Sequence, residues 1–161
     1  MLNLEKIKSF DVLSKDEQLE ALTLIDKWKN IKSREKCKDD FLEFVQMMWH
    51  GFIMGRHHKI LAEKFNRIAQ GKLKRLIVCL PPRHSKSEFA STFLPAWMMG
   101  LNPSLKIIQA THTAELAVRF GRRVRNIIDS EDYQTVFPNI TLSGDNKSAG
   151  RWTTSDGGEA F

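Results

Sequence analysis

The sequence has few cysteines and no long apolar stretch. Its two cysteines, Cys37 and Cys79, lie far apart and form no C-x-x-C pair. A disulfide framework or a structural zinc site is therefore not expected, because both need several cysteines or histidines at short spacing. No apolar run approaches the roughly 20 residues of a membrane span, and Met1–Lys6 lacks the apolar core of a signal peptide. These absences predict a cytoplasmic protein that makes no use of a membrane.

Neither sign of charge dominates the chain. The 25 lysines and arginines exceed the 19 aspartates and glutamates by six, which gives a net charge of +6. A moderate positive charge permits an acidic polymer as a partner without requiring one. The length fits about one domain with a hydrophobic core of its own.

The most informative segment is Arg75–Glu88, with the sequence RLIVCLPPRHSKSE. An apolar run suited to a buried strand breaks at a Pro-Pro turn, and a short polar loop leads to Lys86, Ser87 and a predicted helix. This order is typical of a phosphate-binding loop, in which backbone N–H groups and the helix dipole face the phosphates. The lysine places a charge on the β and γ oxygens, and the adjacent hydroxyl can join the shell of a Mg²⁺ ion.

Two positions depart from the usual G-x-x-x-x-G-K-[ST] pattern. Leu80 and Ser85 occupy the places of the two glycines. The change at Ser85 matters more, because glycine there lets the backbone turn toward the phosphates without a Cβ penalty. On the pattern alone, an exposed Lys-Ser pair in an ordinary strand–helix turn remains the alternative.

The apolar periodicity predicts three helices before the loop. Ser14–Glu17 has the spacing of a capping box and opens a helix that ends near Asn30. Asp39 and Asp40 open a second helix, and a third begins at about Arg56 and ends near Gly71. We expect residues 1–38 to form a helical N-terminal arm.

From Lys74 onward, predicted strands and helices alternate. The predicted elements are strand Arg75–Leu80, helix Lys86–Met99, strand Leu105–Ala110 and a helix from Thr111 or Thr113 to about Asp129. Repeated β-α units imply parallel strands with right-handed crossovers. We therefore expect an α/β fold: a P-loop NTPase-type parallel sheet flanked by helices, incomplete within residues 39–161. Residues 150–161 predict a short hairpin.

The loop sequence Leu80–Glu88 resembles the P-P-R-H-G-K-S-E motif of the large subunit of tailed-bacteriophage DNA-packaging terminases. Other segments are similar to that family in the same order, from roughly Asp39 to the C-terminus. They are Gly55–Ile60, Phe93–Trp97, Ile107–Ala117, Val124–Ile128, Tyr133 with Phe137-Pro138, and Ala149–Gly158.

The resemblance implies an ATPase that couples ATP hydrolysis to packaging of viral double-stranded DNA into a procapsid. ATP and Mg²⁺ are the implied cofactors, and the host bacterial cytoplasm is the implied location. The implied partners are double-stranded DNA, the terminase small subunit, the portal protein and further copies in a ring. Arg83 and Lys86 would be catalytic, and Ser87 would bind the metal. The implied nucleotide-binding residues are Pro82, His84, Ser85, Lys86 and Ser87, with His57 and His58 on the adenine side.

The chain stops at Phe161, before the family's acidic strand, whose carboxylates would bind Mg²⁺ and orient the attacking water. The family's C-terminal nuclease domain is absent as well. The sequence therefore predicts the nucleotide-binding half only, with Leu76–Leu80 as an unpaired apolar edge. A catalytically inactive prophage remnant, which binds at most nucleotide or a partner chain, is the first alternative. The second is another P-loop ATPase of the helicase type, or a small kinase.

Four arginines crowd the last predicted helix: Arg119, Arg122, Arg123 and Arg125. Such a group can track DNA phosphates without reading base sequence. A solvated helix face is the simpler reading, and the active site of a neighbouring subunit is a third possible target.

Overall fold

The computed structural model describes residues 14–147, 152–155 and 157–160, most of which are helical. The helices are α1 (Lys15–Asp39), α2 (Phe41–Met48), α3 (Arg56–Ala69), α4 (Lys86–Glu88), α5 (Leu94–Leu101), α6 (Ala114–Ile128) and α7 (Glu131–Val136). A π-helical segment, Phe89–Phe93, joins α4 to α5. The strands are β1 (Lys106–Ile107), β2 (Leu142–Lys147), β3 (Trp152–Thr154) and β4 (Glu159–Ala160).

Internal contacts divide the chain into two compact units, with the boundary between Glu35 and Lys36 inside α1. The sequence pattern predicts this boundary slightly later, at residue 38. The first unit contains α1 as far as Glu35, and the second contains the other helices and all the strands named above.

Helix α1 begins with the predicted capping box. The N–H and hydroxyl of Ser14 both donate to Glu17 Oε2, at 3.0 and 2.9 Å, and the Glu17 N–H donates back to Ser14 Oγ. The predicted end near Asn30 is wrong, because the helix continues to Asp39. No glycine or proline interrupts Ile31–Asp39, so nothing in the local sequence stops the helix there.

The core of the second unit is aromatic and centres on Phe41. This ring is fully buried and makes edge-on contacts with Phe65, Phe89 and Trp97, at centroid distances of 5.3 to 5.5 Å. The Trp97 indole N–H donates to the Cys37 carbonyl oxygen at 2.8 Å. Helices α2, α3 and α5 and the π segment are therefore joined through one cluster of rings.

Polar groups tie the start of α2 to α3. Asp40 caps α2 by accepting from the N–H groups of Leu42 and Glu43. The Asn66 side chain donates to Asp40 Oδ2 and accepts from the Phe41 N–H, both at 2.8 Å. The predicted start of α2 is thus confirmed, and Gly71 ends α3 with the expected positive φ of 71°.

Pro95 helps to explain the irregular helix that follows the loop. Proline has no N–H to donate, so the carbonyl of Ser91, four residues earlier, loses its helical partner. The Gln109 side-chain amide donates to that carbonyl at 2.8 Å. The widened π turn at Phe89–Phe93 lies just before Pro95. The hydrogen bond of Gln109 connects the segment after β1 to this helix.

The predicted parallel sheet is not present among the described residues. The strand order is β1-β4-β3-β2, and the pairings of β4 with β3 and of β3 with β2 are antiparallel. Only two residues of β1 run parallel to β4. The sheet is therefore small and mainly antiparallel, and the P-loop NTPase-type α/β prediction is wrong for this structure.

The segment Arg75–Leu80 shows why the prediction failed. Its side chains alternate as in a strand: Leu76, Val78 and Leu80 pack against the core, whereas Ile77 is 90% exposed. No backbone hydrogen bond joins the segment to another residue that the structure describes. An apolar alternating pattern predicts the burial of one face, but a strand also needs a neighbouring backbone.

Candidate functional site

The loop after this segment encloses a cavity of about 560 Å³. Among the described residues, nine consecutive ones, Leu80 to Glu88, line it, so the loop and the start of α4 bend around the space. All the residues predicted to contact phosphate lie in this lining. A loop that turns its own backbone toward a cavity can present N–H groups to an anion.

Two loop residues have left-handed backbone conformations, Arg83 with φ of 65° and Ser85 with φ of 58°. They are the only non-glycine residues with positive φ in the described part of the chain. Lys86, directly after Ser85, is already helical. A left-handed residue followed by a right-handed one forms a concave nest of N–H groups, which is a known anion-binding geometry.

The first residues of the helix also lie in the lining of the cavity. The Phe89 N–H donates to the Ser85 carbonyl at 2.9 Å, which is the first bond of the helical pattern. The N–H groups of Lys86, Ser87 and Glu88 precede that bond, and so have no helical acceptor. All three residues line the cavity, where the positive end of the helix dipole also favours an anion.

Replacing Ser85 with glycine is expected to stabilise the protein by about 0.5–1 kcal/mol, because a left-handed conformation costs a non-glycine residue on the order of 1–2 kcal/mol. Denaturant unfolding measures this change, and calorimetry should show tighter binding of Mg-ATP. Ser85→Ala is the matched control, since it keeps the Cβ and the strain. An equal gain in both variants would contradict the strain argument.

His84 shapes the loop, while Arg83 extends from it. The His84 Nδ1 lies 2.9 Å from the Pro82 carbonyl oxygen, a contact in which a protonated Nδ1 donates. Both Arg83 and His84 are exposed. Among the described residues Arg83 has no ion pair with a carboxylate. Its guanidinium is therefore available to an anion in the cavity.

His57 packs against the loop from the start of α3, and His58 packs against His57. The His57 ring lies 3.8 Å from the His58 ring and 5.5 Å from the His84 ring, measured between centroids. The Gly55 N–H donates to His58 Nδ1 at 2.9 Å, which places the proton of a neutral His58 on Nε2. Burial, followed by the nearby His57 and His84, lowers the pKa of His58, so this ring stays neutral.

His57 and His58, which were predicted to contact adenine, do not present their Nε2 atoms to the surface in this arrangement. The Nε2 atoms of His57 and His58 are buried and have no hydrogen-bond partner among the described residues. Such atoms can bind a polar ligand, but only if the start of α3 moves to expose them. In the arrangement described, the His57 ring contacts His84, and the His58 ring packs against His57 and Phe89.

Sequence reasoning missed a carboxylate at the cavity. Of the described residues in the lining, Glu88 alone is acidic, and it forms an ion pair with Arg123 of α6. Glu88 directly follows the lysine and serine of the motif, and this position next to the predicted phosphate contacts could have indicated that Glu88 lies at the cavity. Because the pair is partly exposed, its main effect is to reduce the negative charge beside the loop.

Replacing Arg123 with alanine is expected to weaken Mg-ATP binding about fivefold, because an unpaired carboxylate near the phosphates costs on the order of 1 kcal/mol. Glu88→Gln in the same chain should restore the affinity. Arg122→Ala, on the same helix, is the control and should leave it unchanged. Calorimetric titration of the four proteins measures the effect, and tighter binding by the Arg123 variant would contradict it.

The structure separates the four arginines of α6. Arg119 and Arg122 are exposed, Arg123 pairs with Glu88, and Arg125 is half-buried. The apolar side of the helix buries Phe120, Val124 and Ile128. A surface that can contact DNA phosphates is thus reduced mainly to Arg119 and Arg122.

Other kinds of site receive no support from the described residues. They contain no group of three or more histidine, cysteine or acidic side chains arranged to hold a metal ion. None of their helices combines the length and apolar character needed to cross a membrane. No protein-family model, curated protein or solved structure matches the chain.

Proposed function

We propose that residues 80–88 bind the polyphosphate of ATP together with Mg²⁺, as the nucleotide site of a terminase-type DNA-packaging ATPase. The observation that carries the proposal is the left-handed Ser85 followed by helical Lys86, both of which line the loop cavity of about 560 Å³. The residues of the lining fit a polyphosphate, since they offer helix-end amides, a lysine, an arginine and a hydroxyl to an anion.

Each lining group has a separate role in this proposal. The amides of Lys86, Ser87 and Glu88 hold phosphate oxygens, and the Lys86 ammonium neutralises their charge. The Ser87 hydroxyl donates an oxygen ligand to Mg²⁺, which supplies charge neutralisation at the β and γ phosphates when bound. Arg83 stabilises the charge that develops on the γ-phosphate, while His84 keeps the loop bent through Pro82.

The packaging role is supported by the sequence resemblance. The ordered motifs from Asp39 to the C-terminus favour a terminase large subunit over a helicase or kinase. Double-stranded DNA, the small subunit, the portal and further copies in a ring are the corresponding partners, in the cytoplasm of a bacterial host. Exposed Arg119 and Arg122 favour DNA contact through phosphates.

Calorimetric titration with Mg-ATP, Mg-ADP and AMP tests the proposed site. Because the recognised group is the polyphosphate, affinity should decrease from Mg-ATP to Mg-ADP and should be very weak for AMP. A chain that binds none of the three, or binds AMP as tightly as Mg-ATP, would falsify the assignment of this loop.

A second candidate function is nucleotide binding without hydrolysis. Among the described residues, Glu88 is the only one with a carboxylate at the cavity, and Arg123 engages it. The described lining therefore offers no free acidic group to orient a water molecule. Phosphate release with and without double-stranded DNA distinguishes the two functions. DNA-stimulated turnover that Lys86→Ala abolishes would support the ATPase, while binding without turnover would support the second candidate.

A further inference from the structure

Helix α1 carries a large exposed apolar surface. Within the first unit, the side chains of Leu24, Trp28 and Ile31 are 49%, 59% and 54% exposed. Their spacing of four and three residues places them along one side of the helix. Trp28 remains exposed although the Lys32 ammonium lies 4.6 Å from its ring centroid. We call these three residues the α1 strip.

The charges along α1 are segregated by sign. Residues 15–26 carry one lysine against four carboxylates, a net charge of −3, and residues 27–35 carry four basic groups against one glutamate, a net charge of +3. The acidic groups are Asp16, Glu17, Glu20 and Asp26, and the basic groups after them are Lys27, Lys29, Lys32 and Arg34.

This charge pattern is complementary to itself in one orientation only. A parallel neighbour would oppose like charges along the whole helix, whereas an antiparallel neighbour places each acidic half against a basic half. The strip lies near the middle of residues 15–35, so a two-fold axis there also superposes one strip on the other. Charges flanking an apolar seam commonly set helix orientation in this way.

We propose that α1 is a self-association surface, on which the α1 strip of a second copy packs antiparallel. Glu20 and Arg34 lie about four turns apart on the same flank of the strip. In the antiparallel pair, Glu20 of each copy faces Arg34 of the other. This surface is independent of the phosphate-binding loop and does not rest on the proposed ATPase function.

Sedimentation of the full chain over a range of concentrations tests the proposal. The unmodified protein should reach a dimer at micromolar concentration. Trp28→Asp should be monomeric, because it puts an unpaired charge into the seam. Ile60→Asp, at an exposed apolar position of α3, is the matched control and should leave the dimer intact. Circular dichroism confirms that each variant keeps its helical content.

Charge reversal tests the orientation. Glu20→Lys and Arg34→Glu should each weaken the dimer about tenfold, since each replaces two attractive contacts with two repulsive ones. The chain with both changes should regain the original affinity, because antiparallel pairing again opposes unlike charges. A monomer at all concentrations, an oligomer indifferent to Trp28→Asp, or a doubly reversed chain as weak as the single variants would overturn the proposal.

Discussion

Replacing Lys86 with alanine is expected to weaken Mg-ATP binding about 100-fold, with the fold unchanged. A hydrogen bond to a charged group contributes about 1.5–3 kcal/mol, and each 1.4 kcal/mol is a factor of ten in affinity. Lys86 occupies the first position of the helix and lines the cavity. Its loss should therefore remove the main positive charge next to the amides that hold the phosphates.

Calorimetry with Mg-ATP measures this loss, and Lys74→Ala provides the matched control. Lys74 is an exposed lysine shortly before the loop, so its removal changes the net charge by the same amount without touching the lining. The control should bind like the unmodified chain. If both variants lose affinity equally, long-range charge would explain binding, and if neither does, the phosphates do not bind at this loop.

Replacing Phe41 with alanine is expected to destabilise the second unit by about 3–5 kcal/mol, as for other buried aromatic-to-alanine changes. The ring is fully buried and touches Phe65, Phe89 and Trp97. A typical domain has only about 5–15 kcal/mol of stability. The variant should consequently unfold at a much lower denaturant concentration than the unmodified chain. Mg-ATP binding should be lost at that same lower concentration, because binding requires the folded unit.

Thiol alkylation measures that unfolding when the modification is followed at Cys37, because the other cysteine, Cys79, is exposed in the folded chain. Cys37 is buried, and burial, followed by the charges of Glu43 and Asp40, raises its pKa to about 11. The folded protein should therefore protect this thiol from alkylation, which requires the thiolate. Ile53→Ala, at a position 86% exposed, is the control and should react no faster than the unmodified chain. Equal protection in the Phe41 variant would contradict the central role of this ring.

Local signals in the sequence predicted several helix starts correctly, although they misplaced the end of α1. Ser14 caps the helix that it was expected to begin. Asp40 and Thr113, each one of two candidates in the sequence, cap theirs, because capping depends on residues within one turn. Strand pairing is different, since it depends on a second segment far along the chain. Arg75–Leu80 has the composition of a strand and no described partner, so the inference from composition to parallel sheet failed there.

The same distinction applies to the candidate site. The loop residues follow one another in sequence, so a sequence motif can span all the residues that line the cavity. Ser85 has a positive φ at the position where the motif has glycine. The ion pair of Glu88 with Arg123 joins residues of two different helices. A local sequence pattern cannot predict it, because the two residues lie far apart along the chain. The burial of the polar atoms of His57 and His58 is likewise a tertiary property.

The lack of backbone partners along Arg75–Leu80 has a consequence for local dynamics. The amide hydrogens of this segment should exchange with solvent quickly, since no hydrogen bond within the described chain protects them. Among the described residues, the packing of Leu76, Val78 and Leu80 against the core holds the upstream end of the loop. The loop is thus anchored firmly on its helical side and weakly on its other side. A ligand that fastens the loop should therefore slow exchange in this segment, even though the ligand does not touch it.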